Sequence, residues 1–324
     1  MTAVIIAFGV SIALAVVLVV TPALRSPLTR APAGPRWRAD AVPVSGGIAM
    51  AVGFAAAVLV TARGEAGIGG VLGASTFLGA MGIIDDLRPL PPKVKIAAQA
   101  IGGLLLAAGG VRPAIPGGVV VETLGAVVWV VVVSNAVNLL DGMDGLAAGV
   151  GLVAGATVWV WNAPAPIPAA FVGAVVGFLP FNLSPARMFM GNGGSHWMGA
   201  VLAGLTLMDG GRAGGDPAAL WAVGLVPVVL LAVPLFDTTF VVVERLRHRR
   251  PVTVGGTDHT SHRLVASGVT ERATVGLLWA VGVAAAGTAS LARVGTVAFG
   301  VGAIVLTALL ATLARRLARV AVYD

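Results

Sequence analysis

The sequence predicts an all-α protein: a polytopic transmembrane helical bundle of about eleven spans, with the N-terminus outside and the C-terminus in the cytosol. Three observations support this fold class. Hydrophobic residues fill 57% of the 324 positions and charged residues only 11%, whereas soluble domains carry about 25% charged residues. The hydrophobic residues form blocks near the ~20 residues that cross a bilayer. Basic residues collect in alternate loops, as the positive-inside rule predicts.

Composition also excludes several kinds of chemistry. There is no cysteine, which rules out disulfides, thiolate catalysis and cysteine-ligated metal. The basic residues lie in short loops and not along one continuous face, so we expect membrane lipids and no nucleic acid as partners. The long hydrophobic run 4–20 has no basic segment before it and is predicted to be a retained first helix. Without a linker or a composition shift, residues 1–324 are predicted to form one integral membrane domain.

The hydrophobic blocks, cut at proline, glycine and charge clusters, predict the individual helices. They cover residues 2–23, 45–62, 67–84, 94–110, 118–137, 145–162, 166–183, 194–208, 218–243, 273–291 and 294–313. Alternating loops then hold 17 of the 21 Lys and Arg residues on one side, and only Arg63, Arg112, Arg212 and Arg293 on the other. This asymmetry assigns the first side to the cytosol. An even number of spans would destroy it.

Most other polar residues also fall on the predicted cytosolic side. They are Asp85, Asp86, Asn135, Asn138, Asp141, Asp144, Asn182, Asn192, His259 and His262. The outer loops hold little beyond Glu65, Glu122, Asp209 and Asp216, which are interpreted as solvated loop charges. A transporter is expected to place polar groups at mid-bilayer depth. The one-sided pattern therefore favours a site that opens to the cytosol.

The first motif places Asp85 and Asp86 where the third predicted helix ends, shortly before Lys93 and Lys95. Each carboxylate in lipid costs about 2.5–3.5 kcal/mol. A metal ion or another cationic partner would relieve that cost, and Mg²⁺, a hard ion that takes oxygen ligands, is the preferred candidate. The alternative is a solvated loop that stops the helix.

The second motif gathers two amides and two carboxylates within ten residues, Asn135, Asn138, Asp141 and Asp144. A glycine follows each aspartate and allows sharp turns and close ligand approach. Such a set could bind a metal–phosphate group through its carboxylates and a nucleobase or sugar through its amides. The alternative is that Asp141 or Asp144 caps the helix that begins near residue 145, which accounts for one of the four.

Two further segments complete the candidate site. Asn182 precedes a glycine-rich turn, 191–194, whose backbone N–H groups at a helix start suit phosphate. The alternative is that these glycines serve only close packing. The longest cytosolic loop contains Arg245–Arg250, interpreted as a topology anchor near anionic headgroups or a phosphate contact. Its second half supplies the functional candidates Asp258, His259 and His262.

Two further residues in or next to the predicted spans each have two possible roles. His196, at the mouth of the eighth predicted span, could be interfacial or could line the site. Asp237 lies inside the ninth hydrophobic block. An ionisable group there is a functional candidate, partnered with an arginine, or else it makes an interhelical structural bond.

Taken in order, these motifs resemble the polyprenyl-phosphate N-acetylhexosamine-1-phosphate transferases (WecA/MraY-like glycosyltransferase family 4), and most closely the WecA-type branch. The resemblance covers residues 43–264, from Pro43-x-x-Gly46-Gly47 to Asp258-His-x-x-His262-Arg-Leu. It implies eleven spans and a Mg²⁺-dependent reaction, with Mn²⁺ as an alternative ion. The sugar-1-phosphate of a UDP-N-acetylhexosamine, UDP-GlcNAc above all, passes to polyprenyl phosphate and UMP leaves. This would be the first membrane step of a cell-envelope glycopolymer, at the cytosolic face of a bacterial plasma membrane, in a chain that could form a homodimer.

The resemblance also implies a role for each matching residue. The catalytic set is Asp85, Asp86, Asp141, His259 and His262, in which the first two orient or deprotonate the lipid phosphate. Substrate would be bound by Lys95, Asn135, Asn138, Asp144, Asn182 and Arg263. The metal would be held by Asp86, Asp141 and Asn192.

The chain departs from the family pattern in three places. Asn192 stands where the family usually has a metal-ligating aspartate, and Ser261 where it usually has the middle histidine of the loop. Residues 36–40 also lack a histidine often found before the Pro-x-x-Gly-Gly element. These departures suggest a divergent branch, a different sugar, or a catalytically impaired member that binds carrier lipid or nucleotide. A transporter is the third class of function considered.

Overall fold

The computed structural model describes residues 1–21, 29–30, 42–211, 220–252 and 256–322. The sequence features at 36–40, Arg212 and Asp216 lie outside these residues. The described helices are α1 (Thr2–Val20), α2 (Gly46–Thr61), α3 (Ile68–Leu87), α4 (Pro92–Ala108), α5 (Gly118–Leu140), α6 (Leu146–Trp161), α7 (Pro166–Asn182), α8 (Gly191–Gly211), α9 (Leu220–Leu230), α10 (Ala232–Arg247), α11 (Thr260–Ala266), α12 (Glu271–Ser290) and α13 (Thr296–Leu317). Two two-residue strands, β1 (Thr29–Arg30) and β2 (Val42–Pro43), pair antiparallel. The predicted all-α class is confirmed.

Several helices are long and hydrophobic enough to cross a membrane. Within the described ranges these are α1, α3, α5, α12 with the short turn that follows it, and α13. The bent pair α9–α10 adds a sixth candidate span, and α2, α6 and α7 are shorter hydrophobic helices. Large hydrophobic side chains such as Val297 (78% exposed) and Ile304 (71%) point outward from α13. The chain is therefore a multi-pass membrane protein.

The ninth predicted helix, 218–243, is not continuous. The chain breaks at Leu231, and the two limbs meet at 85°. Pro234 has no N–H to donate to the carbonyl of Leu230, and its ring collides with that carbonyl in a straight helix. The prediction of one uninterrupted span was wrong here because it gave this proline too little weight.

Glycines let α3 and α8 pack backbone against backbone. A methyl group built on Gly82 would lie 2.6 Å from the carbonyl carbon of Asn192, and one on Gly193 would lie 2.7 Å from the Ile83 side chain. Farther along α8, Trp197 is 1% exposed, stacks on Phe171 and meets Phe54 edge to face. These contacts fix the first turn of α8 against the last turns of α3, where the polar residues lie.

Candidate functional site

The first part of the site joins the end of α3 to the start of α8. Asp86, 7% exposed, accepts hydrogen bonds from the backbone amides of Asn192 (3.1 Å) and Gly193 (3.0 Å). Gly191 has φ +71, and a methyl group there would come 2.7 Å from the Asp86 carboxylate. The glycine-rich turn was predicted to offer its amides to a phosphate. In the structure these two amides bind Asp86, because a carboxylate of the same chain already occupies the positive helix end.

Asp85 is held by a different set of partners. Its carboxylate accepts from Lys95 Nζ (2.6 Å), from Asn192 Nδ2 (2.7 Å) and from the Leu90 amide (2.7 Å). Asp85 is 3% exposed, whereas the Lys95 side chain is 32% exposed. One ammonium group and two amide donors thus offset the cost of burying this carboxylate.

Asn138 connects the second motif to this cluster. Its Nδ2 donates to Asn192 Oδ1 and to Ser195 Oγ, both at 2.9 Å. Asp141 is the C-cap of α5, and its amide reaches the Asn138 carbonyl at 3.4 Å. Asp86, Asn192 and Asn138 therefore lie along one chain of hydrogen bonds, and Asp141 follows Asn138 by three residues at the end of α5.

The side-chain oxygens of these residues can be compared with the ligands that a divalent cation requires. In the described part of the protein, no three His, Asp or Glu side chains are grouped closely enough to form a metal cage. Mg²⁺ in phosphoryl-transfer sites usually takes one or two carboxylates and completes its shell with water and substrate phosphate. Asp86 and Asn192 lie side by side and have carboxylate and amide oxygens, the ligand types that such an ion takes. The metal itself, and the part of Asp141 in holding it, stay predictions.

A series of buried, hydrogen-bonded side chains supports the glycine-rich turn at Asn192. Asn135 donates to Gln99 Oε1 (2.6 Å), so the Gln99 amide group must donate to His196 Nε2 (3.3 Å). His196 then carries its proton on Nδ1 and donates to the Asn192 carbonyl (3.0 Å). His196 is 4% exposed, so it lies inside the protein, where it supports the site. The predicted substrate contact of Asn135 stays a prediction, since its amide is engaged with Gln99.

Asp144 and Asn182 bind the α5–α6 loop to the α7–α8 loop. Asp144 accepts from the Ala186 amide (2.8 Å), while Asn182 accepts from the Gly145 amide (3.2 Å) and donates to the Met188 carbonyl (3.0 Å). The N-cap of α6 is Gly145, and no side chain caps it. The alternative in which an aspartate caps this helix was therefore wrong.

The histidine loop lies beside the second motif. A methyl group on Gly142 would lie 3.3 Å from the His262 ring, and the His259 and His262 ring centres are 6.1 Å apart. His259 Nδ1 is 2.7 Å from Asp237 Oδ2. The arginine partner suggested for Asp237 was wrong, because the bend before α10 turns Asp237 toward this loop.

The two histidines have opposite electrostatic surroundings. Burial lowers the pKa of His259, but its hydrogen bond to Asp237 and the charges of Asp237 and Asp258 outweigh burial, so the pKa is raised. Burial and the neighbouring His259 lower the pKa of His262. At neutral pH the first ring is therefore more readily charged than the second.

Two arginines of this region are structural in ways that the sequence did not indicate. Arg245, 5% exposed, forms a two-pronged ion pair with Asp258 (2.6 and 2.7 Å), so the topology-anchor interpretation was wrong for this residue. Arg263 donates to the carbonyls of Leu317 (3.0 Å) and Val320 (2.9 Å) at the end of α13. Its predicted contact with substrate stays a prediction.

The opposite end of the bundle carries its own polar contacts. The end of α8 extends beyond the prediction, and Asp209 there accepts from Asn162 (2.7 Å) and pairs with Arg293. The Asp209 side chain is 11% exposed, so its interpretation as a solvated loop charge was wrong. The carboxylate cluster and this ion pair lie at opposite ends of α8.

Fold and site together define a multi-pass membrane bundle with a cluster of carboxylate and amide side chains, Asp85, Asp86, Asn138 and Asn192, at one end. Residues 68–209 match the family model described as glycosyl transferase family 4. The chain is 28% identical over 303 residues (87% of this chain, 83% of the relative) to a probable undecaprenyl-phosphate N-acetylglucosaminyl 1-phosphate transferase of Bacillus subtilis. It is 32% identical over 290 residues (76% and 71%) to a decaprenyl-phosphate N-acetylglucosaminephosphotransferase of Mycolicibacterium smegmatis. It is also 33% identical over 271 residues (62% and 76%) to a phospho-N-acetylmuramoyl-pentapeptide-transferase of Rhodococcus jostii. The chain belongs to glycosyl transferase family 4.

Proposed function

We propose that this protein transfers GlcNAc-1-phosphate from UDP-GlcNAc to a polyprenyl phosphate, giving polyprenyl-diphospho-GlcNAc and UMP. One observation carries the proposal beyond family membership. Asp86 from α3, Asn138 from α5 and Asn192 from α8 are joined by direct hydrogen bonds at one end of a hydrophobic bundle. A lipid phosphate and a water-soluble diphosphate can meet only where polar groups border the lipid.

The reaction exchanges one phosphoryl oxygen bond for another. An oxygen of the lipid phosphate attacks the β-phosphorus of the sugar nucleotide, and the bond from that phosphorus to the UMP oxygen breaks. Fully ionised lipid phosphate needs no base, and a monoanion would give its proton to a carboxylate such as Asp85 or Asp86. Phosphoryl transfer depends mainly on positioning and on charge stabilisation. Lys95, paired with Asp85 at 2.6 Å, supplies positive charge at this position.

The remaining residues fall into binding and support roles. Asp86, Asp141 and Asn192 would hold Mg²⁺, or Mn²⁺ in its place, which when bound neutralises phosphate charge. Asn138 and Asp144 would contact the nucleotide, and His259 and His262 the diphosphate or sugar. Asn135 and Asn182 are assigned to substrate by resemblance, and the buried bonds of Asn182 to Gly145 and Met188 support the added role of shaping the pocket wall.

The proposed topology has eleven spans in a single domain over residues 1–324, in a bacterial plasma membrane. The N-terminus lies outside, and the carboxylate cluster and C-terminus face the cytosol. The excess of basic residues on the side of the cluster supports this orientation. A homodimer is compatible with the exposed hydrophobic faces, and the product would begin a cell-envelope glycopolymer.

The test is release of UMP by purified protein. UMP should form from UDP-GlcNAc only when both polyprenyl phosphate and Mg²⁺ are present, and Asp141→Asn should abolish it. Asp209→Asn is the matched control, because it removes a largely buried carboxylate at the other end of α8. If folded protein releases no UMP across a panel of UDP-N-acetylhexosamines, the proposal fails.

One observation favours a second function, a family member that binds carrier lipid or nucleotide with little turnover. Asn192 contributes no negative charge where the family usually has aspartate. Its side chain is also engaged on both sides, by Asp85 and by Asn138. Binding of UDP-GlcNAc without UMP release, together with a large gain of turnover in Asn192→Asp, would support this alternative. A transporter would instead move substrate into proteoliposomes.

A further inference from the structure

We propose that Asp237 is the positioning residue of His259, and that the broken helix α9–α10 delivers this carboxylate to the histidine loop. The inference deepens the proposed function and rests on it for the identity of the ligand. Asp237 lies six residues after the break at Leu231 and is only 2% exposed. A straight continuation of α9 would carry it in another direction, since the two limbs meet at 85°.

Both oxygens of the Asp237 carboxylate are used by the loop. Oδ2 is 2.7 Å from His259 Nδ1, and Oδ1 accepts from the Thr260 amide at 2.7 Å. A carboxylate can only accept, so Nδ1 must carry a proton. The second bond fixes the backbone at the start of α11. Asp237 therefore sets both the tautomer and the direction of the His259 ring.

The consequence concerns the other ring nitrogen. With Nδ1 committed to Asp237, Nε2 is the atom of His259 that remains for a ligand. As an imidazolium, His259 would donate from Nε2 to a phosphoryl oxygen, and a charge-assisted bond of this kind strengthens as negative charge develops there. His259 keeps both protons throughout, so no proton transfer is required of it.

The charged and titratable groups around His259 come from α10 and from the histidine loop itself. Asp237 approaches from α10, Asp258 and His262 from its own loop, and Arg245 from the end of α10, where it is paired with Asp258. Because Arg245 and Asp258 largely neutralise each other, Asp237 is the neighbour whose charge decides the state of the ring.

The experiment compares Asp237→Asn, Asp237→Glu and the control Asp209→Asn in the full-length protein. The first readout is nitrogen NMR of the four histidines, with the His259 signal identified by its loss in His259→Gln. In wild type, Nδ1 should be protonated and His259 should titrate at higher pH than His262. In Asp237→Asn, the His259 titration should move to lower pH by about one unit or more. Asp209→Asn should leave it unchanged.

The second readout is the pH profile of UMP release. In Asp237→Asn, kcat should fall at least about tenfold, and the loss of activity at high pH should begin at lower pH. Asp237→Glu, which keeps the charge, should recover part of both and serves as the test variant if Asp237→Asn does not fold. A purely structural Asp237 would lower thermal stability without moving the profile.

The two proposals fail in distinguishable ways. Wild type that releases no UMP refutes the proposed function, while the NMR titration still tests the Asp237–His259 pair. An unchanged His259 titration in folded Asp237 variants overturns the positioning role, whatever the activity.

Discussion

The close contact between α3 and α8 makes a sharp prediction for Gly82→Ala. The added methyl group would lie 2.6 Å from the Asn192 carbonyl carbon and 2.7 Å from Gly193 Cα. Carbon atoms settle at about 3.5–4.0 Å, so the helix and the turn must separate by about 1 Å. The hydrogen bonds from Asn192 and Gly193 to Asp86, now 3.1 and 3.0 Å, would then exceed the usual limit of about 3.2 Å.

Three contributions to the free energy of unfolding set the magnitude, two unfavourable and one favourable. Overpacking costs about 1–3 kcal/mol, and each lost hydrogen bond to a charged group costs about 1.5–3 kcal/mol. Gly→Ala inside a helix would otherwise stabilise by up to about 1 kcal/mol. Gly82→Ala should therefore lower thermal stability and reduce the rate of UMP release at least about tenfold.

The matched control is Gly73→Ala in the same helix, where nothing lies within 4 Å of the added methyl group. This variant should keep wild-type activity and equal or higher thermal stability. The test measures the melting temperature in detergent and the rate of UMP release for both variants. If Gly82→Ala behaves like Gly73→Ala, the backbone contact does not hold Asp86 in place.

Three further predictions follow from the hydrogen bonds of the site. Asn192→Asp places a second carboxylate where the Asn192 amide now contacts Asp85 at 2.7 Å. The melting temperature of this variant should drop in chelator and recover with Mg²⁺ far more than that of wild type. An equal Mg²⁺ response in both proteins would refute this. Asn182→Ala leaves the buried Gly145 amide and Met188 carbonyl without their partner, which should cost about 2–6 kcal/mol of unfolding free energy at about 1–3 kcal/mol per group; Asn162→Ala is the control at the opposite end. The pKa of His259 is raised above 6.5, so its pairing with Asp237 stabilises the fold fully below pH 6.5 and less as pH rises through the folded pKa. Over that range the melting temperature of wild type should fall more steeply than that of Asp237→Asn. Parallel curves of melting temperature against pH would contradict the pairing.

Local signals predicted the helices well and their ends less well. Hydrophobic blocks gave α2 as 45–62 and α6 as 145–162, and the structure has Gly46–Thr61 and Leu146–Trp161. The third helix was ended at 84, but α3 continues to Leu87 because the amides at the start of α8 and Lys95 stabilise its two aspartates. A helix end that depends on a residue a hundred positions away has no local signal.

The sequence by itself determined that the chain is a helical membrane protein, which residues are chemically capable of function, and, by the order of its motifs, its family. Hydropathy and residue type suffice for these, because bilayer thickness and side-chain chemistry act on short segments. Only the tertiary structure decided the partners. It showed that Asp86 binds the glycine-rich turn, that Asp237 binds His259 and that Arg263 binds the end of α13. Hydrogen bonds act over about 3 Å, and the distances that matter to them are set by how the helices pack and bend.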